Sequence, residues 1–274
     1  VDNPLTVEVG DEAALKADGT ITIIGEEIDQ KYLDNMKAVV VDQAVIDEMA
    51  DQVSIVYTPL HGTGQMLVER TLADAGFTNV TYVAEQKEPD ADFSTVKSPN
   101  PEEAGAFEVA EKYGKDNDAD ILMATDPDAD RMGAAVKLPN GDYQVITGNQ
   151  IAALMTHYIL TAKKNTDTLP DNGVILKSIV SSEMPTTIAK SFGVETVDVL
   201  TGFKFIGDKI RKYEATQEKV FVFGYEESSG CVIKDFVRDK DAVQAVLTAA
   251  EAGNFYKKQG KDLVDVLNEL YAKH

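Results

Sequence analysis

The chain has 274 residues, of which 43% are hydrophobic and 27% are charged, a balance that is ordinary for a globular protein with packed cores. Its 47 acidic residues outnumber 26 basic ones and give a net charge of -21, so its surface repels the phosphates of nucleic acids and anionic lipids. We therefore expect neither nucleic acid nor an anionic membrane surface as a partner. A membrane-spanning segment is not expected either, because no apolar run reaches the roughly 20 residues that span a bilayer.

The N-terminus and the cysteine content suggest in which compartment the protein works. Cys231 is the single cysteine, so an internal disulfide is excluded, which fits a reducing cytoplasm. The first residues do not resemble a signal peptide, because no basic segment precedes an apolar stretch. Since the chain begins with Val1 and not with Met, we expect a processed or truncated form of a longer protein.

Apolar runs and helical periodicity predict the elements in chain order. A short strand is predicted at 21–24 and a helical stretch at 26–42. Further strands are predicted at 53–57, 80–83, 121–124, 134–138, 143–146, 174–177, 196–199 and 220–223. Further helices are predicted at 65–75, 102–113, 150–163, 183–191, 203–213, 241–258 and 261–273.

Strands that alternate with helices predict an α/β fold, with mixed, largely parallel sheets covered by helices. Because this alternation of strands and helices occurs twice along the chain, we expect two successive α/β domains, at residues 36–148 and 149–274. Residues 1–35 are expected to be a linker or the tail of a preceding domain. In such sheets ligands bind outside the carboxyl ends of the strands, where three polar loops follow predicted strands.

The first informative loop carries alternating aspartates after the strand at 121–124. Asp126, Asp128 and Asp130 should point the same way if the loop is extended, and their mutual repulsion calls for a cation. Ligation by carboxylate oxygens alone suits a hard cation, Mg²⁺ first. Arg131 adds a guanidinium that can bind a phosphate resting on the metal.

Two other readings of the aspartate loop fail in detail. A calcium-binding EF-hand loop needs glycine at its sixth position and glutamate at its twelfth, where this chain has Arg131 and Lys137. A phosphatase with an aspartate nucleophile expects Thr or Val two residues past the second Asp, where Asp130 stands. A solvated acidic turn is the remaining structural alternative.

Five segments together resemble the α-D-phosphohexomutase family (phosphoglucomutase/phosphomannomutase), and they occur in the family's order. They are residues 58–64 (TPLHGTG), 93–103 (FSTVKSPNPEE), 125–131 (TDPDADR), 201–207 (TGFKFIG) and 224–230 (GYEESSG). The resemblance runs from about residue 53 to the end and covers the family's second and third domains. It implies that 36–148 is the metal-binding domain and that 149–274 is the sugar-binding domain.

The resemblance also implies roles for individual residues. The three aspartates become the metal ligands, with Arg131 acting at the same phosphoryl group, and Glu226 and Ser228 become the readers of two sugar hydroxyls. A polar turn between two strands is the structural alternative for Glu226 and Ser228. Thr201 and Gly202 are expected to offer hydroxyl and backbone N–H contacts nearby, and a helix cap is their structural alternative, which could hold at the same time.

Two further residues are candidates for binding phosphate or for proton transfer. Lys240 matches a lysine that lies at the substrate in the family, although a solvated lysine before a helix is an alternative. His61 follows a predicted strand within a glycine-containing loop, where a phosphate or acid–base contact would lie, although such a histidine is more often structural.

The family resemblance implies interconversion of hexose 1-phosphate and hexose 6-phosphate through a phosphoserine and a 1,6-bisphosphate intermediate. Mg²⁺ and glucose 1,6-bisphosphate are the expected cofactors, and glucose is the preferred sugar, with mannose and pentose phosphates left open. The sequence lacks the Thr-x-Ser-His-Asn motif that carries the phosphoserine, so we expect the first and fourth domains to be missing and this chain alone to be inactive. The alternatives are a stand-alone module that binds metal and sugar phosphate, and a metal-dependent sugar phosphatase.

Overall fold

The structure, a computed structural model, describes residues 3–274, and the predicted segment 1–35 therefore has its first two residues outside it. The strands are β1 (Ile55–Thr58), β2 (Val80–Tyr82), β3 (Ile121–Thr125), β4 (Met132–Lys137), β5 (Tyr143–Ile146), β6 (Gly173–Ser178), β7 (Glu195–Val199), β8 (Val220–Tyr225) and β9 (Cys231–Val232). The helices are α1 (Glu12–Ala17), α2 (Glu26–Met36), α3 (Gln43–Met49), α4 (Gly64–Ala75), α5 (Glu108–Asp116), α6 (Gly148–Asn165), α7 (Met184–Ser191), α8 (Lys204–Thr216), α9 (Ala242–Lys257) and α10 (Leu263–Lys273).

The strands form two mixed sheets, which confirms the predicted fold class of two α/β units. The first sheet has five strands in the order β2-β1-β3-β4-β5, and the second has four in the order β7-β6-β8-β9. In the first sheet β1 pairs in parallel with β2 and β3, while β4 and β5 continue antiparallel. In the second sheet β6 pairs in parallel with β7 and β8, and β9 closes the edge antiparallel to β8.

The central strands are buried along their whole length because helices cover both of their faces. Every residue of β1, β3 and β6 is buried. A strand with one solvated face would alternate apolar and polar residues, and these strands do not. The parallel pairs β1–β3 and β6–β8 therefore end at the same edge of each sheet, where the polar loops begin.

The strand predicted at 21–24 is wrong: the structure has no strand there, and Ile23 and Ile24 are 73% and 69% exposed. Apolar residues form a strand only beside a pairing partner, and within residues 3–274 no sheet edge reaches this segment. The helical stretch predicted at 26–42 ends earlier, since α2 stops at Met36 and a separate α3 follows. The helix predicted at 102–113 begins with a 3₁₀ turn, Ala104–Phe107, before α5.

Helix α9 links the two halves of the molecule. It packs against α3, α4, β3 and β4 of the first half and against α6 and β9 of the second. One continuous apolar core accordingly runs from Ile55 in β1 through Val246 in α9 to Ile175 in β6. The division at residues 148 and 149 stays a prediction, and α9 contacts both parts.

Within the described part of the chain, no helix is both long and apolar enough to cross a bilayer.

Candidate functional site

The aspartate loop, residues 125–131, leaves the carboxyl end of β3 and brings its three carboxylates together. One oxygen each from Asp126, Asp128 and Asp130 lies within 4.8 Å of the other two. Asp126 is 2% exposed, Asp130 is half-buried and Asp128 is exposed. The three carboxylates thus differ in exposure: that of Asp126 is buried at the base of the loop, and that of Asp128 faces solvent.

Asp126 is held by the backbone of its own loop. Its Oδ1 accepts hydrogen bonds from the amide nitrogens of Asp130 (3.1 Å) and Arg131 (2.9 Å). Its Oδ2 accepts one from Nε of Arg131 at 2.8 Å. Ala129 takes a left-handed conformation (φ 56°) that folds the loop back so that these donors reach the carboxylate.

The donor set fits a hard divalent cation. All three candidate ligands are carboxylates, the oxygen donors that Mg²⁺ prefers. Asp128 makes no hydrogen bond or ion pair with any other described residue, so its oxygens are available to a cation. The geometry therefore lets one cation be held by all three side chains.

Arg131 lies at the wall of this cluster and links it to a second segment. Its Nη1 is 3.4 Å from Oδ1 of Asn100 and 3.7 Å from a carboxylate oxygen of Glu102. Both partners come from the proline-containing stretch before α5, which packs beside the aspartate loop. The guanidinium is consequently fixed in direction while its side chain keeps 28% exposure.

The sugar loop, residues 224–230, follows β8 at the corresponding end of the second sheet. Within it Oγ of Ser228 donates a hydrogen bond to Oε1 of Glu226 at 3.2 Å, so the two predicted sugar readers lie side by side. Burial raises the pKa of Glu226 above its ordinary value, although the nearby Lys240 acts in the opposite direction. A half-buried carboxylate with few fixed partners suits an acceptor for hydroxyl donors.

Lys240 joins the two loops. Its Nζ lies 3.0 Å from Oδ2 of Asp130 and 3.8 Å from Oε1 of Glu226. Burial by itself would lower the pKa of Lys240, but the hydrogen bond and charge of Asp130 raise it, so the side chain is an ammonium at neutral pH. Gly230 makes the approach possible, because a Cβ there would lie 2.2 Å from Cδ of Lys240.

The backbone joins the same two loops. Arg131 and Gly230 form an isolated antiparallel bridge, and the amide of Met132 donates to the carbonyl of Ser229 at 3.1 Å. Backbone hydrogen bonds therefore connect the end of the first sheet to the end of the second. As a result the aspartate cluster and the predicted sugar readers face a common space.

Thr201 and Gly202 lie in the loop between β7 and α8, on the second sheet's side of the site. Gly202 has φ 115°, a conformation that L-residues rarely adopt, and Thr201 is exposed. The next residue, Phe203, places its ring 5.7 Å from Nζ of Lys240. This loop is therefore close to the lysine, and the hydroxyl of Thr201 is free to meet a ligand.

His61 lies in a loop that supports the aspartate loop, but its ring is already engaged. Its Nδ1 is 3.0 Å from the carbonyl of Glu88 and its Nε2 is 2.8 Å from Oγ1 of Thr95. The same loop reaches the aspartate loop through the amide of Thr63, which donates to the carbonyl of Pro127. In this structure His61 acts as a structural bridge, and its catalytic role stays a prediction.

The sequence reading passed over Lys177 at the end of β6. Its side chain is 0% exposed, and its Nζ lies 2.8 Å from Glu183 and 3.0 Å from Asp198. A lysine directly after the apolar run 174–176 of a buried strand is a signal that could have marked it, since a buried ammonium needs partners. It lies at the same edge of the second sheet as the sugar loop.

Glu227 connects the sugar loop to the segment around that lysine. Its Oε2 accepts hydrogen bonds from Ser178 (2.7 Å) and Ser181 (3.2 Å), whose carbonyls lie 3.5 and 3.2 Å from Nζ of Lys177. Adjacent glutamates thus point to different partners. Glu226 faces Lys240, and Glu227 faces the strand end that carries Lys177.

Comparison with known proteins gives two matching family models. Residues 30–140 match "Phosphoglucomutase/phosphomannomutase, alpha/beta/alpha domain II" and residues 147–274 match "alpha/beta/alpha domain III" of the same family. A phosphoglucomutase of Staphylococcus saprophyticus is 34% identical over 271 residues, which is 99% of this chain and 48% of that protein. The chain therefore spans about half the length of this relative.

Two solved structures have the same fold. A phosphoglucomutase/phosphomannomutase family protein from Burkholderia thailandensis superimposes with a TM-score of 0.61 at 20% identity, over 84% of this chain and 46% of that one. An N-acetylphosphoglucosamine mutase from Aspergillus fumigatus, in complex with GlcNAc-6P and magnesium, gives 0.56 at 15% identity, over 85% and 52%.

Proposed function

Because the chain belongs to the phosphoglucomutase/phosphomannomutase family, we propose that it is the central part of an enzyme that interconverts hexose 1-phosphate and hexose 6-phosphate. In this proposal the part before about residue 36 belongs to a preceding domain, 36–148 holds the metal, and 149–274 holds the sugar. Glucose is the preferred sugar, and the protein works in the cytoplasm.

One observation carries the proposal: a single ammonium lies between the aspartate cluster and the predicted sugar readers. Lys240 is 3.0 Å from Asp130 and 3.8 Å from Glu226. A phosphoryl group held at the aspartate cluster would therefore be close to a sugar held at Glu226 and Ser228. Phosphoryl transfer depends mainly on such positioning and on charge neutralisation.

The proposed roles follow from the chemistry of each side chain. Asp126, Asp128 and Asp130 would hold Mg²⁺, which as a Lewis acid would polarise the transferred phosphoryl group. Arg131 binds the oxygens of that group through its guanidinium, and Lys240 holds a phosphate oxygen or passes a proton.

The sugar is bound by the loops of the second sheet. The carboxylate of Glu226 accepts hydrogen bonds from sugar hydroxyls, while Ser228 can both donate and accept. Thr201 offers a further hydroxyl, and Gly202 offers a backbone N–H close to the same space. Together these groups orient a hydroxyl oxygen toward the phosphoryl group.

In the proposed reaction a phosphoserine supplies the phosphoryl group. Its P–O bond would break as a new P–O bond forms to a sugar hydroxyl, whose proton would pass to a base. The leaving serine oxygen would take up a proton, and a 1,6-bisphosphate would result. The opposite phosphate then returns to the serine. Because the sequence holds no Thr-x-Ser-His-Asn motif, we propose that this chain needs the first and fourth domains and is inactive alone.

The metal part of the proposal is tested by thermal unfolding with Mg²⁺ or Mn²⁺. A ligand that binds only the folded state adds about 2.7 kcal/mol at a hundredfold excess over its dissociation constant. We expect the unfolding midpoint to rise with metal, and the rise to vanish in Asp128→Asn. The matched control is Asp116→Asn, an exposed aspartate at the end of α5, which should keep the full rise.

The catalytic part is tested by incubating the chain with glucose 1-phosphate, Mg²⁺ and glucose 1,6-bisphosphate. We expect no glucose 6-phosphate from the chain alone, and product from a longer protein that includes both the phosphoserine segment and the fourth domain. Formation of glucose 6-phosphate by the chain alone would contradict the proposed division of labour. Release of inorganic phosphate would instead identify a sugar phosphatase.

A further inference from the structure

The first turn of α9 makes backbone hydrogen bonds to the aspartate loop and to the strand that follows the sugar loop. The amide of Ala242 donates to the carbonyl of Ala129 in the aspartate loop at 3.1 Å. The amide of Asp241 donates to the carbonyl of Cys231, just past the sugar loop, at 2.9 Å. Lys240, which lies between the loops, comes directly before this turn, so its place depends on where α9 begins.

Asp241 fixes that beginning as the N-cap of α9. Its side chain accepts from the amides of Val243 (3.0 Å) and Gln244 (3.2 Å), which would otherwise lack helical partners. Asp241 is only 8% exposed, so a carboxylate that made just these bonds would be costly to bury.

Two further donors reach this carboxylate. One is the side-chain amide of Gln244, whose Nε2 lies 3.1 Å from Oδ2 of Asp241, and the other comes from far away in the chain. The hydroxyl of Tyr32, in α2, lies 2.9 and 2.8 Å from the two carboxylate oxygens of Asp241, across a separation of 209 residues. The Tyr32 ring packs edge-on against Phe236 with the ring centres 5.8 Å apart. Burial, and after it the Asp241 carboxylate, raises the pKa of Tyr32, so the hydroxyl keeps its proton and remains a donor.

We propose that Tyr32 is a positioning residue for the candidate site: its hydroxyl fixes Asp241 and, through the first turn of α9, the place of Lys240 and of the aspartate loop. Tyr32 itself touches none of the predicted metal or sugar residues. The contacts described above support this positioning role of Tyr32, and its importance for catalysis rests on the proposed function.

The test is amide hydrogen exchange, measured by NMR residue by residue, on Tyr32→Phe. This substitution removes one hydroxyl and keeps the ring. We expect exchange about fivefold faster at the amides of Asp241, Ala242 and Val243, since one net hydrogen bond is worth about 1 kcal/mol. The amides of Leu122 in β3 and Ile175 in β6 exchange by unfolding of the whole molecule, so they report only the loss of global stability.

Tyr256→Phe is the matched control. Tyr256 lies near the other end of α9, is 2% exposed, and has its hydroxyl 2.7 Å from Nδ1 of His157. The same chemical change there should accelerate the core amides as much as Tyr32→Phe does, but should leave the local exchange of the three site amides unaltered. A merely structural role for Tyr32 predicts the same exchange at the three site amides in both variants, and that result, or no acceleration there in Tyr32→Phe, would overturn the proposal.

Binding of Mn²⁺ separates this inference from the proposed function. If the unaltered chain binds Mn²⁺, Tyr32→Phe should weaken binding about fivefold, and Tyr256→Phe should leave it unchanged. If the unaltered chain binds none, the metal part of the proposed function is weakened. The exchange pattern then still decides the role of Tyr32.

Discussion

The aspartate loop and the sugar loop lie side by side, yet different parts of the chain hold them. Asp126 receives all three of its hydrogen bonds from Asp130 and Arg131, within its own loop. In the sugar loop, Glu227 is bound by two serines that lie 49 and 46 residues earlier. One loop is shaped locally, and the other is shaped by its neighbours in space.

This difference shows that the shape of one loop is determined by its own sequence and that of the other by its contacts with the rest of the fold. A loop with local hydrogen bonds keeps its shape when the surroundings loosen. A loop that depends on distant partners loses its shape when the packing between elements is disturbed. Helix α9 contributes to both, because its first turn touches the aspartate loop and follows the sugar loop.

The largest expected effect comes from Glu251, which ties α9 to the segment before α3 and so supports both loops. It is 0% exposed, and Oε1 accepts from the amide of Val41 at 2.9 Å and from that of Asp42 at 2.5 Å. Burial raises the pKa of Glu251 to about 7. The hydrogen bond from the amide of Asp42 lowers this pKa, but by less than burial raises it.

The folded protein therefore retains a proton on Glu251 at pH values where the unfolded chain has lost it. The contribution to stability is greatest at acidic pH and falls by about 3 kcal/mol as the pH rises from 4.5 to 7. We expect urea unfolding to show this slope in the unaltered protein and to lack it in Glu251→Gln. Glu48→Gln, an exposed partner of Lys258, should retain it.

A change at Asp126 tests the local half of the comparison. Asp126→Ala removes three hydrogen bonds but also one negative charge from a crowded cluster, and we expect a net loss of about 2 kcal/mol in unfolding free energy. Asp128→Ala, in the same loop, should cost almost nothing without metal, because its side chain has no partner among the described residues. Equal losses in urea titrations of the two variants would mean that the loop is not locally held.

Glu227 tests the half of the comparison that depends on distant partners. Glu227→Ala removes the acceptor of Ser178 and Ser181, and we expect a loss of about 1 kcal/mol. The predicted signature is spatial: NMR shifts should change at β6 and around Lys177, and the aspartate loop should stay unaltered. Shift changes confined to the sugar loop would contradict its dependence on the strand end.

Ser228→Ala should have the smallest effect. Its hydroxyl donates only to Glu226, two residues away, so we expect less than about 0.5 kcal/mol in thermal or urea unfolding. A loss similar to that of Glu227→Ala would show that the sugar loop is held locally after all.

The sequence predicted best what local pattern controls. The apolar run before Asp126 predicted β3, and the alternation of Asp126, Asp128 and Asp130 predicted that their oxygens converge. It failed at 21–24, where strand-like residues have no strand beside them. It also gave no sign of the contact between Tyr32 and Asp241, because the two residues are 209 positions apart in the sequence. The burial of Lys177 had one local sign, its place directly after the apolar run of β6, but its partners Glu183 and Asp198 come from other elements.

Helix α9 also has a consequence for the order in which the molecule is made. Its residues pack against α3, α4, β3 and β4, which were synthesised more than a hundred residues earlier. A chain that leaves the ribosome N-terminus first must expose the apolar face of its first sheet until α9 emerges. Contacts this distant in sequence slow folding and lengthen the time in which nascent chains can aggregate. The helix that supports both loops is therefore also the one whose late arrival closes the first sheet.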